Sequence, residues 1–120
     1  MKWTYEQING RLLHDDEFVG KGYSGAGEGK NNPQAEAEPN VGPIPKGTYT
    51  IEAPVDTVTH GPYVLRLDPN EANEMYGRAG FLMHGDSVVH PGTASEGCII
   101  MARPVREQVW ASGDITLEVV

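Results

Sequence analysis

The sequence predicts a mainly β fold, a small β-sandwich or partly closed barrel of six to seven or more short strands with one short helix packed on it. Three observations carry that expectation. Apolar residues recur in short alternating or continuous runs bounded by turn residues, which is the pattern of strands. The chain of 120 residues holds 15 Gly and 9 Pro, favouring short strands joined by loops over a helical bundle. Only one stretch, near the C-terminus, spaces its apolar residues as a helix does.

Residues 3–8 and 11–14 flank Asn9-Gly10. That dipeptide predicts a β-hairpin closed by a type I′ turn, which needs positive φ at both central residues. Trp3, Tyr5, Ile8, Leu12 and Leu13 would supply its apolar face. Residues 20–47 read as one long irregular segment, rich in Gly, then in Ala, Glu and Pro. Its Gly-x-Gly-x-Gly spacing lacks a following helix, so a phosphate cradle is not expected. The segment is either a surface loop or the wall of a substrate cleft. Thr48 to Ile51 alternates as a strand, and Tyr63 to Leu67 is another, closed by Asp68-Pro69-Asn70. Residues 70–80 have room for one helical turn. Phe81 to Met83 and Ile99 to Met101 read as buried strands. Pro104 suits the first turn of a helix in which Val105 and Val109 share a face, and Ser112-Gly113 stops it. Ile115 to Val120 ends the chain as a strand.

One domain over residues 1–120 suits this length, since such a chain buries roughly two-thirds of its unfolded surface. A single Cys forms no internal disulfide, so the core must hold without one. The net charge of −8 disfavours a nucleic-acid partner, whose phosphates are bound by Lys and Arg. No run approaches the roughly 20 apolar residues of a membrane span. The first residues lack the apolar region of a secretory signal.

The chemistry gathers between Phe81 and Met101. This stretch holds the only cysteine, Cys98, and two of the four histidines, His84 and His90. Paired antiparallel, its two flanking strands would set His84 opposite Cys98, with side chains starting roughly 4.5–5.5 Å apart. A thiol with an ordinary pKa near 8.5 is mostly protonated at neutral pH, so a nucleophilic cysteine needs a base beside it. Gly97 allows close backbone approach and can leave N–H groups free for an oxyanion. Ser95 can brace the loop or donate to substrate. Asp86 or a backbone carbonyl would orient the imidazole. His90, His14 and His60 read as surface residues, and Met75, Met83 and Met101 as core. A lone cysteine is often just a small buried hydrophobe. The Ser-x-Gly-Cys context beside a histidine favours the reactive reading here.

His84-Gly85 followed by Ser95-x-Gly97-Cys98 resembles the signature of the L,D-transpeptidase catalytic domain, the peptidoglycan cross-linking cysteine enzymes. Pro45-Lys46-Gly47-Thr48-Tyr49-Thr50-Ile51 looks like a strand of that fold. Tyr23-Ser24-Gly25, Asn31-Asn32-Pro33, Gly42-Pro43-Ile44-Pro45 and the run Gly92 to Ile99 look closer still to one branch, the L,D-transpeptidase-like toxins of type VI secretion systems. The resemblance implies Cys98 as nucleophile, His84 as base, Ser95 as the hydroxyl near it, Gly97 and Cys98 as oxyanion donors, and the Gly85 carbonyl as the group orienting the base. It places Tyr23, Ser24, Asn32, Asp86 and Arg103 with the substrate. Glu96 stands where most of those enzymes have His. Ile100 stands where they have Asn or Arg, with Arg103 or Arg106 as substitutes.

The implied activity is acyl transfer on peptidoglycan stem peptides, as transpeptidation, carboxypeptidation or D-amino acid exchange, without a cofactor. The implied setting is a type VI antibacterial effector carried by the secretion machine into a target periplasm and matched by an immunity protein. Two rivals remain: a zinc peptidase using His84, Asp86 and His90, and a non-catalytic secretion or phage-particle module with an inert Cys98.

Overall fold

Ten strands and one α-helix follow one another in the computed structural model, which describes residues 1–120. In chain order they are β1 (Trp3–Tyr5), β2 (Arg11–His14), β3 (Glu17–Lys21), β4 (Tyr23–Ser24), β5 (Gly47–Ile51), β6 (Val55–Thr57), β7 (Gly61–Pro69), β8 (Leu82–His84), β9 (Ile99–Ile100), α1 (Arg103–Ala111) and β10 (Thr116–Val119). They form one mixed sheet in the order β3-β2-β1-β10-β5-β7-β8-β9-β4, with β6 paired to β7 beside that path. The fold is mainly β with one short helix, as the composition and patterning predict.

Alternation decides which faces are buried. In β5, Tyr49 and Ile51 point inward while Thr48 and Thr50 stay exposed, and β10 repeats the pattern with Leu117 and Val119. Their register sets Leu117 level with Tyr49. The apolar core runs from Trp3, Tyr5 and Leu12 at one end of the chain to Val109, Leu117 and Val119 at the other, with Leu65, Met83, Ile99 and Met101 between. Both chain ends therefore belong to one core. In α1, Pro104 sits in the first turn, Val109 is buried, Val105 packs against the core, and Gly113 follows with φ of +77°.

The N-terminal hairpin forms, but its turn is not the predicted one. Trp3 pairs with His14 and Tyr5 with Leu12, so five residues, 6–10, close the loop. Gly10 alone of the Asn9-Gly10 pair has positive φ, at +74°, and Ile8 is exposed. The type I′ geometry appears instead at Asp15-Asp16, both with positive φ (+48° and +70°), linking β2 to β3. Asp tolerates this conformation because its short side chain bonds locally. Here Asp15 Oδ1 accepts from the Lys2 N–H.

Three strands were not legible as such. β3 and β4 lie where the Gly-rich irregular segment was expected to begin, and β6 is a short run with a register irregularity. Residues 70–80 contain turns and no helix.

The correction that matters most concerns β8 and β9, which pair parallel, not antiparallel: Met83 lies level with Ile99 and His84 with Ile100. Parallel neighbours need a crossover of a dozen residues or more. The fourteen residues from Gly85 to Cys98 supply it. Antiparallel partners already occupy the other edges, since β7 pairs with β8 and β4 with β9.

Candidate active site

The parallel register moves Cys98 relative to His84. Extended by one residue, it sets Cys98 level with Leu82, two residues before His84 on the same strand face. The two side chains are thus neighbours along the ladder. They line one cleft of about 1060 Å³ and make no direct hydrogen bond. That cleft runs between the 59–62 segment, residues 77–81, the Gly85–Cys98 crossover and Pro39-Asn40. Residues 20–47 thus provide part of its wall.

His84 is 3% exposed, and its Nδ1 lies 2.8 Å from the Gly85 carbonyl oxygen. A carbonyl only accepts, so Nδ1 carries the proton and Nε2 of the neutral ring is left as the basic atom. Burial pushes the imidazole below its ordinary 6.5; the Gly85 carbonyl opposes this, while His60 and Arg106 add to it. The His60 ring stands 4.6 Å from that of His84.

Cys98 is partly buried. Burial pushes its thiol above its ordinary range; the Leu82 backbone amide and Arg78 draw it back, and Glu96 pushes it further up. At neutral pH both groups are uncharged. Such a pair reacts by general-base transfer of the thiol proton as sulfur attacks.

The backbone before Cys98 is held by two buried hydroxyls. Ser95 Oγ donates to the Cys98 carbonyl at 2.6 Å and accepts from the Gly97 N–H at 3.0 Å and the Gly25 N–H at 2.9 Å. Ser24 Oγ donates to the Gly97 carbonyl and accepts from the Ile44 N–H, both at 2.8 Å. The Gly97 N–H is therefore already committed. The Cys98 N–H donates to no protein group, which leaves it available to an oxyanion.

Two guanidinium groups border the cleft. Arg78 donates to four carbonyls, and Arg106 donates to those of Met101 and Pro62, with its buried Nε unpartnered. Neither forms an ion pair. A Cβ on Gly85 would lie 2.9 Å from Arg106 Nη1, so this guanidinium rests against the residue after His84.

A family model described as the Tlde1 domain matches residues 19–118. The chain belongs to the Tlde1 domain family. This is a family of type VI, L,D-transpeptidase-like effector domains. No curated protein and no solved structure is significantly similar to the chain. No helix of this Tlde1 domain is long and apolar enough to cross a membrane.

The match spans the whole cleft, and the sequence-predicted residues fall within it in different ways. Cys98, His84, Gly85, Gly97 and Asp86 line the cleft. Ser95 and Ser24 are fully buried beneath it and act through backbone bonds. Asn32 caps a 3-10 turn, accepting from the Gln34 N–H, and lies outside the cleft lining. Arg103 is exposed on α1, bonded to Glu107 and set over the Tyr63 ring, away from the cleft. The nearby guanidiniums are instead those of Arg78 and Arg106.

Tyr23 donates from its hydroxyl to Asp86 Oδ1 at 2.6 Å and accepts from the Ala94 N–H. Burial and the Asp86 contact push its phenol up to about 12. For Asp86, slight burial raises the carboxyl, but bonds from Tyr23, Gly92 and Ser87 outweigh it and hold it below the usual range. Asp86 thus anchors the crossover loop, while the Gly85 carbonyl orients His84. His84, Asp86 and His90 do not gather as a metal site. Only His14, Asp15 and Asp114 bring ligand atoms within 4.8 Å of one another, and His14 Nε2 is already 2.6 Å from Asp114 Oδ2.

Arg78 and His60 were not found from sequence. Arg78 follows a turn outside any helix or strand, with no motif around it, and His60 sits on a loop tip. His14, expected at the surface, stacks on Trp3 with ring centroids 4.2 Å apart.

Proposed function

We propose that this Tlde1 domain is a cysteine acyl-transferase acting on peptidoglycan stem peptides. The observation that carries the reading is the shared cleft: a lone thiol and a buried imidazole whose Nδ1 is committed to the Gly85 carbonyl, leaving Nε2 to take a proton. In the proposed reaction Cys98 Sγ attacks the carbonyl that joins the L-centre of diaminopimelate to the terminal D-Ala. His84 Nε2 takes the thiol proton. The oxyanion meets the Cys98 N–H. Collapse breaks the C–N bond, the imidazolium returns the proton to the departing amine, and D-Ala leaves a thioester behind. Water then gives carboxypeptidation, a free D-amino acid gives exchange, and a second stem amine gives a cross-link. No cofactor takes part.

Membership of a type VI effector family supports an antibacterial role in the periplasm of a target cell, with a secretion-machine carrier and an immunity protein as partners. Residues 1–120 would act as a single catalytic domain. Incubation with purified tetrapeptide muropeptides under reducing conditions tests the chemistry. D-Ala release is expected from the wild type and not from Cys98→Ala. Equal release from the two would overturn the proposal, and would return Cys98 to the role of a buried hydrophobe.

A further inference from the structure

Arg78 is 9% exposed and lies in the loop between β7 and β8. Its Nη1 donates to the carbonyls of Glu36 at 2.6 Å and Pro43 at 2.8 Å, and its Nη2 to those of Gly42 at 2.9 Å and Glu96 at 3.2 Å. The guanidinium carbon stands 5.2 Å from the Phe81 ring centroid. No carboxylate pairs with it. Carbonyl dipoles satisfy its donors without cancelling its charge, so the cation's field reaches the cleft. The contact with the nucleophile loop is close: a Cβ on Gly97 would lie 2.5 Å from Arg78 Nη2. Gly97, at φ of +141°, is thus a glycine in part because Arg78 occupies the space a side chain would need.

We propose that Arg78 is the positioning residue of this site, clamping the 36–43 wall to the Glu96 carbonyl and holding an unpaired cation beside Cys98. This rests on the reading of Cys98 as nucleophile. One fork reaches four carbonyls on two separate segments, which the compact ammonium of a lysine does not span. The charged groups that act on the Cys98 thiol are Glu96 from its own loop and Arg78 from the loop before β8, while His84, Asp86, His60 and Arg106 line the same cleft without acting on it directly. Glu96 opposes the thiolate and neutral His84 adds no charge. Arg78 is therefore the one cation there that favours the thiolate.

Cys98 is the only cysteine, so alkylation by iodoacetamide reports on it alone. The test measures the pH midpoint of alkylation and the rate of D-Ala release for wild type, Arg78→Met and Arg78→Lys, with near-UV circular dichroism to establish folding. In Arg78→Met the midpoint is expected to rise by about one pH unit. In Arg78→Lys it should stay at the wild-type value while turnover falls several-fold, because the charge remains and the clamp does not. A wild-type midpoint in folded Arg78→Met, or wild-type turnover in Arg78→Lys, overturns the proposal. If Arg78→Met does not fold, Arg78→Lys decides, since a shifted midpoint also counts against it. If the wild type releases no D-Ala, the acyl-transfer reading fails, yet the alkylation midpoints still decide the role of Arg78.

Discussion

His84 shows how a single side chain ties the fold to pH. Its folded pKa is depressed, chiefly by burial, so in the window just below 6.5 the unfolded chain binds a proton that the folded chain does not. Stability should therefore fall as pH drops through that window, and level off below the depressed folded value. In His84→Gln this contribution to the pH dependence should vanish, which urea denaturation from pH 4 to 7 would reveal. Under the proposed acyl transfer, the acid limb of the rate profile should lie below 6.5, because a His84 base would work only when neutral. A limb at or above 6.5 would remove His84 from that role. Ser95 makes a second residue-scale case. Ser95→Ala would strand the Gly25 and Gly97 N–H groups and the Cys98 carbonyl in a buried setting. The expected cost is about 2–3 kcal/mol, with a marked loss of turnover. Ser95→Ala with wild-type stability and activity would contradict this bracing role.

At the scale of elements, the β8–β9 crossover decides where the candidate site sits. A parallel pair turns the thirteen residues between His84 and Cys98 into a path over the end of the sheet, and that path forms one cleft wall. The hairpin and β4 approach each other just as closely. Gly10 receives the Gly22 N–H on its carbonyl, and a Cβ there would lie 2.0 Å from the Gly22 oxygen. With φ at +74° as well, Gly10→Ala should cost about 3 kcal/mol or more, measured by thermal or urea denaturation. If instead Gly10→Ala is tolerated within ~0.5 kcal/mol, the loop of β1–β2 must be free to move away from β4.

For the whole molecule, the placement of β1 between β2 and β10 is the consequential feature. β1 pairs parallel with β10, and Trp3, Tyr5 and Leu12 are fully buried. The Tlde1 match begins at residue 19, after β1 and β2, but the core does not. Deleting residues 1–14 would strip one edge of β10 and remove three large core side chains. Each large-to-small core change alone costs ~3–5 kcal/mol, comparable to much of a small domain's stability. The truncated chain is expected to lose cooperative melting and near-UV circular dichroism. A truncated protein that melts cooperatively would show the hairpin to be an appendage.

The sequence by itself determined the fold class, the N-terminal hairpin, α1, and the stretch that holds Cys98 and His84. Those features are local: period-two patterning, a proline in a first helical turn, and a motif that carries its own residues. The tertiary structure decided the parallel pairing of β8 and β9, because strand direction depends on which edges are already taken. It also decided how the loop before Cys98 is braced, since Ser95 reaches the Gly25 N–H and Ser24 reaches the Gly97 carbonyl only after β4 pairs with β9. The same holds for Arg78, whose four carbonyl partners lie 18 to 42 residues away in sequence. No local pattern encodes such a contact, because it exists only once separate segments close around one guanidinium.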